Sequence, residues 1–102
     1  MKSEVLQAAF KDELERTQRL IARYEKEIES LPKGSVFRRK IGNQEYFYLN
    51  YRDGSKVISK FLGKTNVFNV EELQSQINKR KEYVQLVKKL KLEQKELQKV
   101  LK

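Results

Sequence analysis

Apolar or semi-apolar residues recur along the first third of the chain at Phe10, Leu14, Thr17, Ile21, Tyr24, Ile28 and Leu31, with gaps alternating between four and three. That spacing marks one face of a helix. Leu6 and Leu20 widen the stripe, while Lys11, Glu15, Arg19, Arg23, Lys26 and Glu27 occupy the other side. The pattern predicts a helix over about residues 3–30, roughly 42 Å long, with i,i+4 pairs such as Glu15–Arg19 on its outer surface. A helix of that length needs another long helix beside it. Pro32 ends it, because proline lacks an amide donor and disfavours helical geometry in the residue before it. Leu-Pro-Lys-Gly then makes the turn out of the helix.

From Ser35 the runs become short, aromatic and β-branched. Strands are expected at about 35–41, 44–51 and 56–62. Gly42-Asn43 suits a type II′ turn and Asp53-Gly54 a type I′ turn, so two-residue loops should fix the register of a meander. On that register Tyr48 faces Phe37 and Ser59, and Tyr46 faces Arg39 and Phe61. On the opposite side Leu49 faces Val36 and Ile58, Phe47 faces Arg38 and Lys60, Tyr51 faces Lys56, and Lys40 lies beside Glu45. One face therefore collects Phe37, Tyr46, Tyr48, Val57 and Phe61, and the other interleaves apolar residues with cations. A lone meander is marginal unless one face is covered. The less charged aromatic face is expected to pack on the helices, leaving Arg38, Phe47, Tyr51, Lys56 and Lys60 outward.

Gly63 closes the third strand. Asn69 followed by Glu72 resembles a capping box at a helix start. A second helix is expected over about 70–101, on the order of 48 Å long. Its apolar seam runs through Leu73 and Ile77 and slips near Tyr83–Val87, with Arg80 or Lys81 interrupting it, before resuming at Leu90, Leu97 and Val100. The economical fold is α+β: a long antiparallel helical hairpin, residues 1–102 as a single domain, with the three-stranded antiparallel β-meander (about 35–63) inserted between its helices. The same seams could instead join two copies into a homodimer resembling a coiled coil.

Charge sharpens this picture. The 102 residues carry a net charge of +9. Residues 1–30 hold six Lys/Arg against seven Asp/Glu, residues 31–64 eight against two, and residues 65–102 nine against five. The excess is thus concentrated on the meander and the second helix. Strong local basicity points to nucleic acid, an anionic membrane or an acidic protein surface, of which a membrane is not the expected partner. With no Cys and no His, disulfides, thiolate nucleophiles, common zinc sites and histidine bases are excluded. The carboxylates have ordinary places: Glu71 and Glu72 at a helix start, Asp53 in a turn, Glu45 beside Lys40. The glycines punctuate strands and form no phosphate loop. The expectation is a binding protein, not an enzyme, with no cofactor. Met-Lys-Ser-Glu-Val-Leu lacks the apolar core of a signal peptide, and no apolar run is long enough to span a membrane, so a cytoplasmic protein is expected.

The candidate nucleic-acid-binding residues are Arg38, Arg39, Lys40, Phe47, Tyr51, Lys56 and Lys60. Cations neutralise phosphates and release counterions, and aromatics between them can stack on bases. The partner expected first is DNA. The plainer account is a solvated sheet whose lysines deter edge pairing. An alternative function is a protein-interaction module, such as a small inhibitor of a nucleic-acid enzyme encoded by a phage or mobile element, comparable to an anti-CRISPR. Its protein partner would present an acidic or apolar surface.

Leu-Pro-Lys-Gly-Ser, Tyr-Phe-Tyr-Leu-Asn-Tyr-Arg-Asp-Gly and Lys-Val-Ile-Ser-Lys-Phe-Leu-Gly resemble the pattern of a family of small, uncharacterised bacterial and archaeal proteins. That pattern joins a helix, a Tyr-rich meander and a charged helix. The resemblance runs from about Ile28 onward; it implies the same architecture and brings no activity. The strands through Asp53-Gly54 to Lys60-Phe61-Leu62-Gly63, with the helix after them, are also similar to the arm-type DNA-binding domain of tyrosine recombinases, in which a three-stranded sheet enters the major groove. That likeness implies Arg38, Arg39, Tyr51, Lys56 and Lys60 as DNA contacts. The long first helix and the missing catalytic domain depart from it.

Overall fold

Helix α1 spans Glu4–Ser30. Ser3 starts it: its side-chain Oγ accepts the Leu6 amide at 3.4 Å and its carbonyl the Gln7 amide at 2.9 Å. At the other end the Ser30 hydroxyl donates to the Glu27 carbonyl at 2.8 Å, partnering one of the acceptors a helix terminus leaves over. Three strands follow, β1 (Ser35–Ile41), β2 (Gln44–Asp53) and β3 (Lys56–Lys64), then helix α2 (Val70–Val100). The architecture is mixed α+β, two helices with a three-stranded antiparallel sheet between them in the sequence. The structure is a computed structural model and describes residues 3–101. It divides into two compact units, one built from the chain up to Ser30 together with Lys81 onward, the other from Leu31–Arg80.

The helical unit pairs α1 with the later turns of α2. Ile21, Val87 and Leu90 form its buried centre, flanked by Leu20, Tyr24, Ile28 and Leu86. Each such side chain removed from water contributes on the order of 1.5–3 kcal/mol. The Tyr24 and Tyr83 rings meet at 4.9 Å, and Lys91 Nζ reaches Glu25 Oε2 at 3.6 Å. Thr17 is fully buried, and its hydroxyl is satisfied by the Glu13 carbonyl one turn back, at 2.8 Å. The alternating stripe expected of α1 is therefore its covered face. On the outer surface Arg16 pairs with Glu13 at 3.1 Å, not Arg19 with Glu15. The expected slip in the α2 seam falls beside the division between units: α2 serves the sheet's unit up to Arg80 and the helical unit from Lys81.

In the sheet's unit, strand order is β1-β2-β3, so β2 is central and both neighbours are edges. The first hairpin keeps the expected register, with Ile41 opposite Gln44 and Phe37 opposite Tyr48. The second does not. Asp53 pairs with Lys56, so the loop is Gly54-Ser55 instead of Asp53-Gly54. A type I′ turn needs positive φ at both loop residues, which a non-glycine residue resists. Here only Gly54 has it, at 64°, the same value as Gly42 in the first turn. Sliding by two residues preserves the faces but exchanges partners: Tyr48 now faces Phe61 instead of Ser59. A bulge between Phe47 and Tyr48 then leaves Leu62 as the extra residue of β3, so that Phe47 faces Gly63 and Tyr46 faces Lys64.

The packed face is also the reverse of the expected one. Phe47 and Leu49 are buried, while Phe61 and Val57 are 56% and 65% exposed. A turn in which the Val67 and Phe68 amides donate to the Lys64 carbonyl brings Phe68 against Phe47, ring to ring at 6.4 Å. Asn69 caps α2 by accepting the Glu72 amide at 3.4 Å, and Ile77, only 1% exposed, adds a deeply buried side chain to this unit. The face bearing Val36, Leu49 and Ile58 is aliphatic as well as aromatic and fills a core more readily than tyrosines whose hydroxyls need partners.

Gly34 is held in a tight place. Its φ is 122°, and a Cβ there would lie 2.3 Å from the Asn50 carbonyl oxygen and 3.1 Å from Leu49 Cδ1. Gly34→Ala is expected to destabilise the chain by about 2–3 kcal/mol through backbone strain and displacement of β2. Thermal and urea unfolding of the variant beside the parent checks this; an unchanged midpoint would contradict it.

Candidate functional site

The alternation of β2 divides the sheet into rows. Tyr46, Tyr48, Asn50 and Arg52 point to the face opposite Phe47 and Leu49. Pairing across the strands extends each of them sideways. Arg39, Tyr46 and Lys64 make one row; Phe37, Tyr48 and Phe61 the next; then Ser35, Asn50 and Ser59; then Arg52 and Val57. Ile41 and Gln44 close the series at the other end. Successive rows are about 7 Å apart and the three strands together span about 10 Å.

The rings on this face touch one another. Phe37 and Tyr48 stack at 5.4 Å with 23° between planes, Tyr48 meets Phe61 edge-on at 5.6 Å, and Phe61 meets Tyr46 at 5.6 Å. Arg39 Cζ lies 5.9 Å from the centre of the Tyr48 ring. These contacts hold the rings in a defined array while Phe61 stays more than half exposed. The face carries Arg39, Arg52 and Lys64 and no carboxylate: Glu45 and Asp53, the acidic residues of the sheet, stand on the other side of β2. Among the described residues no ion pair involves any cation of the sheet; the pairs Arg16–Glu13, Lys91–Glu25 and Lys99–Glu96 all lie on the helices. Lys40 faces Glu45 in the register without coming within ion-pair distance.

The residues singled out from the sequence are distributed differently. Arg39 alone among them lies on the exposed aromatic face. Arg38, Lys40, Lys56 and Lys60 are exposed but belong to the side that bears the buried core, on the two edge strands. Arg38 Cζ sits 5.6 Å from the centre of the Phe47 ring. Tyr51 is half-buried opposite Ile58. Phe47 is 5% exposed, so its ring is committed to the core and cannot stack on a ligand. The expectation that the face with Phe47 is outward is thereby corrected.

Sequence reasoning missed Phe37, Tyr46, Tyr48, Arg52, Phe61 and Lys64 as a group. One signal was available: three aliphatic residues, Val36, Leu49 and Ile58, share the side of Phe47, whereas the other side is rich in tyrosine, a residue that tolerates one wet end. Lys64 gave no such signal, because only the bulge brings it beside Tyr46.

Comparison with protein families finds a model described as a domain of unknown function, DUF6788, matching residues 10–75, which includes the whole sheet. Neither the curated proteins nor the solved structures contain a match to the chain.

The two faces are separable by mutation. Phe47→Ala should cost about 3–5 kcal/mol through the cavity it leaves, and Phe61→Ala about 1 kcal/mol or less. Urea denaturation of both variants is the check. Equal costs, or a larger one at Phe61, would mean that the sheet packs the other way round.

Proposed function

Because the chain belongs to the DUF6788 family, a domain of unknown function, we propose a role from its own surface: it binds nucleic acid, DNA first, through the exposed face of the sheet, and acts by binding, without catalysis. One observation carries this reading. Phe37, Tyr46, Tyr48 and Phe61 share an exposed face with Arg39, Arg52 and Lys64, and no carboxylate offsets those charges. Cations displace the counterions of a phosphate backbone, and the rings between them offer apolar and stacking contact to what lies inside the backbone. Arg38, Lys40, Lys56 and Lys60 at the sheet edges add attraction to phosphates passing alongside, and also keep the open edges from pairing with other strands. Phe47 has no part in it.

A second reading is supported by the exposure of Ile41, Val57 and Phe61 at 53%, 65% and 56%. Apolar and aromatic residues ringed by cations also suit the centre of a protein interface, with an acidic partner such as a nucleic-acid enzyme held by an inhibitor. Nuclease treatment separates the two: capture of a partner that survives complete digestion belongs to the protein reading.

The nucleic-acid reading is tested by titrating labelled random-sequence DNA with the full chain at two salt concentrations. Affinity should fall steeply with salt, and Arg39→Glu combined with Lys64→Glu should weaken it by about tenfold or more at low salt while reducing the salt slope by roughly two contacts' worth. The double variant retaining full affinity, or no binding at low salt by the parent, would refute it.

A further inference from the structure

Resting on that reading, we infer that the sheet takes an unpaired strand, single-stranded DNA, in preference to a duplex. Bases lie on the row Phe37, Tyr48 and Phe61, and the backbone follows Arg39 and Lys64. The inference comes from the order of the rows. A cationic row, Arg39 and Lys64 on either side of Tyr46, stands next to a purely aromatic row, which stands next to a polar row of Ser35, Asn50 and Ser59. A single strand presents phosphate, base face and base edge, in that lateral sequence, to a surface it lies across. Cations, rings and an amide with two hydroxyls meet those three in turn.

A duplex cannot use the same surface. Its base faces are stacked on each other, and its grooves offer base edges and phosphates, which call for hydrogen-bonding side chains at the centre of the contact. The centre here is Phe37, Tyr48 and Phe61, with one hydroxyl among them. Seating a groove over it would cover the exposed Phe61 ring with polar edges and leave those edges unpartnered. The platform, about 10 Å across, suits about two or three splayed bases, the number that comparably sized aromatic sheets accommodate. Thymine presents the rings with a 5-methyl group that uracil lacks, adding apolar contact to the aromatic row, so a thymidylate strand is better matched to it than a uridylate one.

The other surfaces are less informative. The groove along the helical unit, lined by Glu13, Lys89, Leu92, Glu93, Glu96 and Leu97, mixes both charge signs with leucine and selects no ligand chemistry.

The test uses the full chain and three labelled probes of about 15 nucleotides or base pairs: oligothymidylate, mixed-sequence duplex DNA and oligouridylate, followed by fluorescence anisotropy at about 50 and about 200 mM salt. Oligothymidylate should bind about tenfold or more tightly than the duplex and more tightly than oligouridylate. Phe61→Leu and Tyr48→Leu, both at exposed or half-exposed positions, should each reduce oligothymidylate binding about tenfold and reduce duplex binding by a clearly smaller factor. The chain has five tyrosines and no tryptophan, so quenching of tyrosine emission on binding, diminished in Tyr48→Leu, reports stacking independently of affinity. Unfolding midpoints of both variants within a few degrees of the parent establish that the loss is local. Duplex binding as tight as single-strand binding, with both variants unaffected, would overturn the preference and leave the nucleic-acid reading standing. Tighter binding of oligouridylate would overturn the choice of DNA. Absence of binding to every probe at low salt would overturn the underlying reading as well.

Discussion

The two-residue period of β2 is the constraint on which this molecule turns. Once Phe47 and Leu49 are committed to the core, Tyr46, Tyr48, Asn50 and Arg52 have nowhere to go but the other side. Because β2 is central, that decision passes through hydrogen-bonded pairing to both neighbours and sorts every side chain of the sheet. The commitment itself is made by few contacts: Phe68 folded back onto Phe47, and the Gly34 backbone pressed against the Asn50 carbonyl in a space no side chain could share. A small core thus fixes the composition of the whole exposed face of the sheet.

The division of labour among charges follows from the same geometry. Cations on the core-bearing side sit on edge strands and project past the sheet, where their plainest service is to keep two open edges soluble. On the exposed side Arg39 and Lys64 flank Tyr46 beside the rings and Arg52 stands beyond the polar row, and among the described residues none of the three is in an ion pair. The helical unit is different in kind. Its α1, with five basic and seven acidic residues, is near balance while its part of α2 is basic, and it buries aliphatic residues between the two helices.

Much of this was legible in the sequence, for reasons that differ by element. The α1 stripe was clear because its period persists over the whole helix and Pro32 gives an unambiguous stop. The first hairpin was clear because Gly42-Asn43 admits one tight loop. The second hairpin was not, since Asp53-Gly54 imitates a favoured pair while Gly54-Ser55 needs positive φ at glycine alone, and both choices preserve alternation. The orientation of the sheet was hidden for a tertiary reason. Both faces are half apolar, and what decides between them, beyond the aliphatic trio Val36, Leu49 and Ile58, is a residue outside the strands, Phe68, whose position depends on the turn at Lys64–Phe68. Of the residues proposed for binding, Arg39 was found from the sequence because it lies in a conspicuous basic run, whereas Lys64 was not, because the register that places it is irregular.

That irregularity makes β3 sensitive to its pairing in an unusual way. The additional residue at Leu62 acts as a parity switch: before it odd-numbered positions of β3 face the rings, and after it an even-numbered one does. Were Leu62 lost, Phe61, Gly63 and Lys64 would still fall opposite Tyr48, Phe47 and Tyr46, now in unbroken alternation, and the exposed face would keep its cation. Were the residue kept and the bulge flattened, Leu62 would face Phe47 and Gly63 would take the place that Lys64 holds beside Tyr46, so the aromatic surface would lose a charge without any change in sequence. A relative of the chain that lacks one residue at this point would therefore present the same surface on a more regular strand, whereas one that keeps the residue but pairs it regularly would present a different surface on the same fold.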